Sequence, residues 1–269
     1  MSEQIVVAGA GHAAGQVVAT LKQKKFAGNI VVIGDEPYLP YQRPPLSKKF
    51  LAGELPAERL YVKPGSFYED ANIDVRLGTA VTGIDREQRF VTTGDGDTLR
   101  YDQLILAVGS RVRRIPAPGS ELGNIHYLRS IDDVMAIRRH LATAARAVIV
   151  GAGYIGLEVA AVLCQAGLDV TVIEMADRVM SRVVSSHVAA FYEREHKQHG
   201  VTLELSTALA GFHGDGTVNA VETADGRTFA ADFVVVGAGI LPNTDLAESA
   251  GLRVDDGIAV DDRCRTSDP

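Results

Sequence analysis

Tryptophan is absent, and aromatic side chains make up only 6% of the 269 residues. A core without large rings is filled by alanine, valine and glycine, which suits tightly packed parallel sheets. Cysteine is scarce as well. Cys164 and Cys264 lie far apart and form no Cys-x2-Cys or Cys-x4-Cys pair, so neither a disulfide framework nor a metal site follows from them. There is no basic excess: 27 basic against 34 acidic residues gives a net charge of −7. That argues against nucleic acid as a general partner, while leaving room for a local basic patch. No apolar run approaches the roughly 20 residues of a membrane span. The first strand is reached by Ile5, which leaves no room for a signal peptide, so the expected location is cytoplasmic.

What is present is ordinary for a soluble globular chain: 46% hydrophobic and 23% charged residues. The length suits one large or two medium domains. Gln4–Ala8 is a short apolar run that reads as a buried strand. A glycine turn follows at Gly9-Ala10-Gly11-His12-Ala13-Ala14-Gly15, then a helical stretch to about Lys25 and a second strand at Asn29–Ile33. This is one βαβ unit. Residues 36–48 hold four prolines, a long irregular segment of the kind that is usually functional. Further strands are predicted at 73–77, 79–85, 89–93 and 104–108, and Pro116–Gly119 reads as a linker before a helix over about 130–142.

The opening pattern then repeats. Ala147–Val150 is a strand and Gly151-Ala152-Gly153-Tyr154-Ile155-Gly156 a glycine turn. A helix over 157–166 and a strand over 170–173 follow, ending at Glu174. Later elements are a helix over 186–199 and strands over 201–205, 218–223 and 233–236. Two such units, about 140 residues apart, are the most informative feature of the chain.

In a turn of this kind the first glycine permits the sharp bend, the second lets the backbone approach a pyrophosphate, and the third lets helix and strand pack closely. The helix N-terminus offers unpaired N–H groups to the phosphates. An acid near the end of the second strand binds the ribose. The first copy has Gly9 and Gly11, with Ala14 in the third slot and Gly15 beside it; its acid is Glu36, with Asp35 as the fallback. The second has Gly151, Gly153 and Gly156, with Tyr154 and Ile155 inside the turn and Glu174 as its acid. A carboxylate there accepts both ribose hydroxyls of NADH and repels the 2′-phosphate of NADPH. Arg178 lies close enough to meet a phosphate but reads more simply as a solvated residue.

Taken together, Gly9–Gly15, Glu36–Lys48 with its Arg43-Pro44-Pro45-Leu46-Ser47-Lys48 core, Leu106–Ser110 and Gly237–Thr244 are familiar. The chain resembles the FAD-dependent ferredoxin reductases of the rhodocoxin and putidaredoxin reductase type and the reductase components of ring-hydroxylating dioxygenases. The resemblance runs over essentially the whole length. It implies an α/β fold of two Rossmann-like, glutathione-reductase-like dinucleotide-binding domains, the NADH domain inserted into the FAD domain. The implied boundaries are 1–115 and 241–269 for the FAD domain and 116–240 for the NADH domain. In the family a Gly-Asp turn and a C-terminal interface domain follow; the resemblance leads one to expect both to be missing here, with FAD affinity lowered.

The resemblance also assigns roles. Gly9, Gly11 and the following helix would hold the FAD pyrophosphate, and Glu36 the adenosine ribose. Arg43 and Pro44 would lie against the FAD, Lys48 beside the flavin N5 region, and the backbone of Val81 at the adenine. Ala107 and Gly109 match the family's Ala-Thr-Gly turn, with Val108 in place of threonine; Gly239 sits in the corresponding turn of the second unit. Gly151, Gly153, Gly156 and Glu174 would hold NADH, and Glu158 would approach the nicotinamide and pair with Lys48. Without the resemblance, Lys48 reads as a solvated loop lysine and Glu158 as an exposed helix glutamate.

Residues 37–60 contain no cysteine, so a thiol relay is not expected, and Cys164 reads as a buried small apolar residue. The expected acceptor is an external [2Fe–2S] ferredoxin. Arg111, Arg113 and Arg114 are a short basic run, either a docking patch or a solvated loop. Other readings remain open: reduction of rubredoxin, a quinone or monodehydroascorbate, or a non-catalytic NADH-binding protein similar in spirit to apoptosis-inducing factor.

Overall fold

The computed structural model describes residues 2–268. Its contacts divide the chain into two compact units. The first comprises the residues up to Gln42, Glu58–Arg111 and those from Leu241 onward; the second comprises Arg43–Ala57 and Val112–Ile240.

In the first unit the order is β1 (Gln4–Ala8), α1 (His12–Gln23), β2 (Asn29–Gly34), α2 (Gly65–Asp70), β3 (Asp74–Leu77), β4 (Val81–Asp85), β5 (Phe90–Thr93), β6 (Thr98–Arg100) and β7 (Gln103–Leu106). Four strands form a parallel sheet in the order β3-β2-β1-β7. Side chains of successive strand residues point to opposite faces. Accordingly Ile5 and Val7 are buried with Ala14 and Val18 of α1, whereas Val6 is buried with Val91, Leu99 and Tyr101 of the antiparallel meander β4-β5-β6 and the residue after it. One face of the sheet is thus covered by a helix and the other by the meander.

The chain passes through β8 (Ser110–Val112) into β9 (Ile125–Tyr127), α3 (Ile131–Arg138), β10 (Arg146–Val150), α4 (Tyr154–Gln165), β11 (Asp169–Ile173), α5 (Ser186–Gln198), β12 (Thr202–Glu204), β13 (Leu209–Asp215), β14 (Thr217–Thr223), β15 (Thr228–Ala230) and β16 (Phe233–Val236). The second unit has a parallel sheet ordered β12-β11-β10-β16-β9 and its own meander, β13-β14-β15. Val148, Val150, Val234 and Val236 pack against Phe212, Val218 and Val221 of that meander. The chain ends through β17 (Ile240–Pro242) and α6 (Asp245–Ser249).

Three sequence expectations are corrected. The segment 43–57 groups with the second unit, not with residues 1–115. Its Leu46, Phe50 and Leu51 are buried, the Phe50 ring lies under the Arg138 guanidinium, and Gly53 turns with φ +79° against the same arginine. The stretch 116–119 is not a free linker. The Phe212 N–H donates to the Pro118 carbonyl at 2.8 Å, and a Cβ on Gly119 would fall 2.1 Å from the Phe212 carbonyl oxygen. The helix expected over 130–142 stops at Arg138, and the helices α2 and α6 and the strands β6, β8, β9, β13, β15 and β17 fall where the sequence reading places no element. Among the described residues no helix is long and apolar enough to cross a membrane.

Candidate dinucleotide sites

The two glycine turns have the same backbone construction. Gly9 has φ +113° and Gly151 φ +105°, conformations that favour glycine. A Cβ on Gly9 would lie 2.2 Å from the Ala107 carbonyl oxygen, and one on Gly151 would lie 2.7 Å from that of Gly237. The Gly9 N–H donates to Ile33 O at 2.7 Å, and the Gly151 N–H to Ile173 O at 2.8 Å. Each turn is thereby clamped between the two neighbouring strands of its sheet.

Gly11 and Gly153 are the N-cap residues of α1 and α4, and neither helix has a side-chain cap. By contrast α3 is closed by a capping box between Ser130 and Asp133, and α5 by the Ser185 hydroxyl. The first turn of a helix leaves N–H groups without intrahelical partners and carries a positive partial charge. Around Gly11 and Gly153, a Cβ would meet nothing within 4 Å. Two uncapped helix starts therefore open onto free space with no side chain in the way, which is the shape and polarity a pyrophosphate requires.

The third slot separates the copies. A Cβ on Gly156 would come within 2.0 Å of the Gly151 carbonyl oxygen, so only glycine fits. Its counterpart Ala14 carries a side chain and is fully buried. Gly15 serves a different neighbour, since a Cβ there would press on Pro40 at 2.8 Å and Val62 at 3.0 Å.

The acids also differ. Thr79 and Gly78 donate from their backbone to Gly34 O and Glu36 O; Thr207 and Ser206 donate in the same way to Glu174 O and Ala176 O. By this matching Glu174 corresponds to Gly34, and Glu36 lies two residues further on. The Glu174 carboxylate accepts the Ala152 N–H at 2.7 Å and the Ala176 N–H at 2.9 Å. It is held against its own glycine turn. Gly34 has no side chain because a Cβ there would lie 2.3 Å from that of Ala10. Glu36 is half-buried and accepts the Tyr41 hydroxyl at 2.5 Å, whereas Asp35 is exposed. Tyr41 itself is buried, a partner that sequence reasoning did not identify.

The duplication reaches the meanders. Val81 pairs with Thr93 and is followed by a register shift before Gly83; Leu209 pairs with Thr223 and is followed by one before Gly211. The hydroxyls of Thr93 and Thr223 are both buried and donate to Asp95 and Asp225. Ala107 and Gly237 close the third strand of each triplet through Ala107 N–H to Ala8 O at 2.8 Å and Gly237 N–H to Val150 O at 2.7 Å. Gly109 and Gly239 follow with φ +65° and +96°.

A second cluster lies in the second unit alone. The Lys48 Nζ is 2.8 Å from Glu158 Oε2 and donates to Pro44 O at 3.1 Å. Arg43 Nη1 donates to the Arg129 carbonyl at 2.6 Å, so Arg43 and Pro44 are both built into this unit. The pair that the resemblance implies is thus formed. The Ser47 hydroxyl, which the sequence did not single out, donates to the same Glu158 oxygen at 2.5 Å. Arg178 is tied to Ser181 O at 3.0 Å, and the Cys164 thiol donates to His199 O at 2.9 Å. Cys164 is partly exposed, not fully buried. Among the described residues no group of three or more His, Cys, Asp or Glu is placed to hold a metal ion.

Away from these sites, His126 and His140 meet Nε2 to Nε2 at 2.9 Å beside Phe233, whose ring stacks on His140 at 4.7 Å. Burial, reinforced by His140 and Arg139 and opposed by Asp133, lowers the His126 imidazole to about 4. His140 is also lowered, first by burial and then by Arg139.

Known proteins share this chain's sequence pattern and fold. Rhodocoxin reductase of Rhodococcus erythropolis is 42% identical over 98% of this chain and 62% of its own length. A ferredoxin–NAD(P)+ reductase of Sphingomonas is 42% identical over 98% of this chain and 64% of its own. The covalent complex of putidaredoxin reductase with putidaredoxin superposes with a TM-score of 0.96 at 41% identity, covering 99% of this chain and 66% of the solved one. The chain therefore spans a little under two thirds of the relatives named first. The family model described as pyridine nucleotide-disulphide oxidoreductase matches residues 3–269. With the doubled glycine turns, the doubled meanders and this match over nearly the full length, the chain belongs to the pyridine nucleotide-disulphide oxidoreductase family.

Proposed function

We propose that this chain is an NADH-dependent flavoprotein reductase that moves electrons from NADH through FAD to a [2Fe–2S] ferredoxin. The observation that carries the reading is the pair of uncapped, side-chain-free helix starts at Gly11 and Gly153, one in each unit. One dinucleotide in each of two units suits an enzyme in which one cofactor reduces the other. The names of the relatives, ferredoxin–NAD(P)+ reductase and rhodocoxin reductase, point to a protein acceptor. The cytoplasmic location belongs to the same proposal.

In this reading bound FAD would supply the chemistry that links two-electron hydride transfer from NADH to one-electron delivery to the acceptor. The first unit holds its pyrophosphate on the N–H groups that begin α1, and Glu36, oriented by Tyr41, takes the adenosine ribose. Ala107, Gly109 and the Val81 backbone complete that side. In the second unit the start of α4 holds the NADH pyrophosphate. The Glu174 carboxylate, already fixed by two backbone N–H groups, presents its remaining lone pairs to the ribose hydroxyls. Tyr154 and Ile155 are 50% and 40% exposed in the first turn of α4, where they would lie beside a dinucleotide held at that turn. Glu158 would face the nicotinamide end, with Lys48 Nζ 2.8 Å from its Oε2 to help orient it. Gly239, like Gly109, lets the backbone pass close to its dinucleotide.

The test is an acceptor series with the purified protein and NADH: a [2Fe–2S] ferredoxin, rubredoxin, a quinone and monodehydroascorbate. The proposal expects the ferredoxin to be reduced with the highest kcat/KM. A faster quinone or rubredoxin reaction would reassign the acceptor. NADH binding without reduction of any acceptor would make the chain a binding protein.

A further inference from the structure

Ser47 is a buried hydroxyl in a segment whose other inward residues are apolar. The backbone bonds Leu46 N–H to Arg43 O, Lys48 N–H to Pro45 O and Ala52 N–H to Lys48 O wind residues 43–52 into successive helical turns. Leu46, Phe50 and Leu51 face inward and are 1% exposed or less; Ser47 is 4% exposed. Alanine would satisfy this packing. A hydroxyl buried among such neighbours is tolerated because it is hydrogen-bonded, and its partner is the Glu158 carboxylate.

Both donors reach one oxygen. Ser47 Oγ and Lys48 Nζ lie 2.5 and 2.8 Å from Glu158 Oε2, and neither bond falls on Oε1. The two donors are not equivalent. The lysine side chain is 49% exposed, where an ion pair is screened and its long side chain is costly to hold still. The serine has one short side chain, is itself buried, and gives a charge-assisted hydrogen bond to the partly exposed carboxylate. Lysine supplies the charge; serine supplies the direction.

We propose that Ser47 is a positioning residue for Glu158: it anchors Oε2 and so aims Oε1 at the nicotinamide ring of the dinucleotide bound at the Gly151–Gly156 turn. This rests on the reading of that turn as the NADH site. A carboxylate fixed in this way favours the oxidised, positively charged ring and its amide without reorganising as the hydride leaves.

The experiment compares NAD+ with ADP-ribose, which lacks the nicotinamide, by calorimetric titration of the full chain. It needs no turnover. The parent protein is expected to prefer NAD+, and Glu158→Gln to lose that preference. Ser47→Ala should lower the preference several-fold towards the E158Q value and leave ADP-ribose affinity within twofold of the parent. Ser47→Thr, which keeps the hydroxyl, should restore it. Ser47→Cys, which keeps the volume but gives a weak donor, replaces the alanine variant if that variant does not fold. In stopped-flow reduction the same variants should lower kcat with a smaller change in KM. An unchanged preference in S47A alongside a lost one in E158Q would overturn the role of Ser47 and leave the NADH site standing. An unchanged preference in E158Q, or none in the parent, would overturn the placement of the nicotinamide and with it this proposal.

Discussion

The glycine turns at Gly9 and Gly151 solve one problem with different tolerances. In both, a left-handed glycine passes under the end of a neighbouring strand, and a second glycine opens the start of a helix. In the second unit the helix sits so close that a Cβ on Gly156 would be 2.0 Å from the Gly151 carbonyl; in the first, Ala14 fills the same slot and is buried. The acids divide the same way. Glu174 is bonded to its own turn at Ala152, while the first unit leaves that position to Gly34 and takes an acid two residues later. A shared backbone therefore does not fix which acidic side chains stand beside the turn. The second turn is a tight, self-braced cradle. The first borrows its walls from outside the turn: Pro40 of the proline-rich segment and Val62 beyond it close on Gly15.

Exchanging the third-slot residues should break the comparison most clearly. Gly156→Ala forces a Cβ into a backbone oxygen and is expected to cost about 3 kcal/mol or more, with NADH binding lost. Ala14→Gly should cost only about 1 kcal/mol and leave flavin in place. Chemical denaturation together with dinucleotide titration measures both; equal effects would show that the slots are equivalent after all. Next in size, Glu174→Ala removes the carboxylate proposed to accept the ribose, a charged hydrogen bond worth about 1.5–3 kcal/mol, or roughly 10- to 150-fold in NADH affinity. It should also narrow the gap between NADH and NADPH. The corresponding Glu36→Ala should weaken flavin binding and leave NADH affinity unchanged.

Acid should separate the units by a smaller margin. The second unit carries the His126–His140 pair. His126 titrates at about 4 in the folded protein against 6.5 ordinarily, so below pH 6.5 the unfolded chain binds more protons than the folded one. Stability contributed by the neutral ring is full above pH 6.5 and is lost as the pH falls towards 4. The loss is on the order of 2 kcal/mol once the partial exposure of the ring is discounted. His126→Phe, which keeps a ring without a proton site, should flatten this slope in a melting series from pH 7 to pH 4. Smallest of all, Gly11→Ala and Gly153→Ala should leave the melting temperature nearly unchanged, since a Cβ there meets nothing within 4 Å, while each weakens its own dinucleotide.

Both βαβ units, the glycines and Glu174 were legible in the sequence because a glycine turn between a strand and a helix is local: its partners are a few residues away. Lys48 and Glu158 were paired through family resemblance; nothing in the spacing brings residues 110 apart together. The membership of 43–57 in the second unit was illegible for the same reason, since it depends on Phe50 and Leu51 finding a distant core. Ser47 stood in plain view within the most distinctive motif, yet a serine beside a lysine in a proline-rich stretch reads as a loop residue. The first strand of the second meander was illegible because Leu209–Asp215 contains two glycines and two register shifts. The sequence does carry a further sign of the duplication: Thr93-Gly94-Asp95-Gly96 and Thr223-Ala224-Asp225-Gly226 repeat a Thr-x-Asp-Gly hairpin, which extends it beyond the glycine turns.

The central claim, that the first unit holds a flavin and the second the NADH that reduces it, is tested most directly by the visible absorption spectrum of the purified protein before and after anaerobic addition of NADH. The account predicts flavin bands in the blue that bleach on NADH in the parent, bleach slowly in Glu158→Gln and persist in Gly156→Ala. A protein whose flavin bands are unmoved by saturating NADH, or one that binds NADH yet shows no flavin bands after reconstitution with FAD, would contradict it.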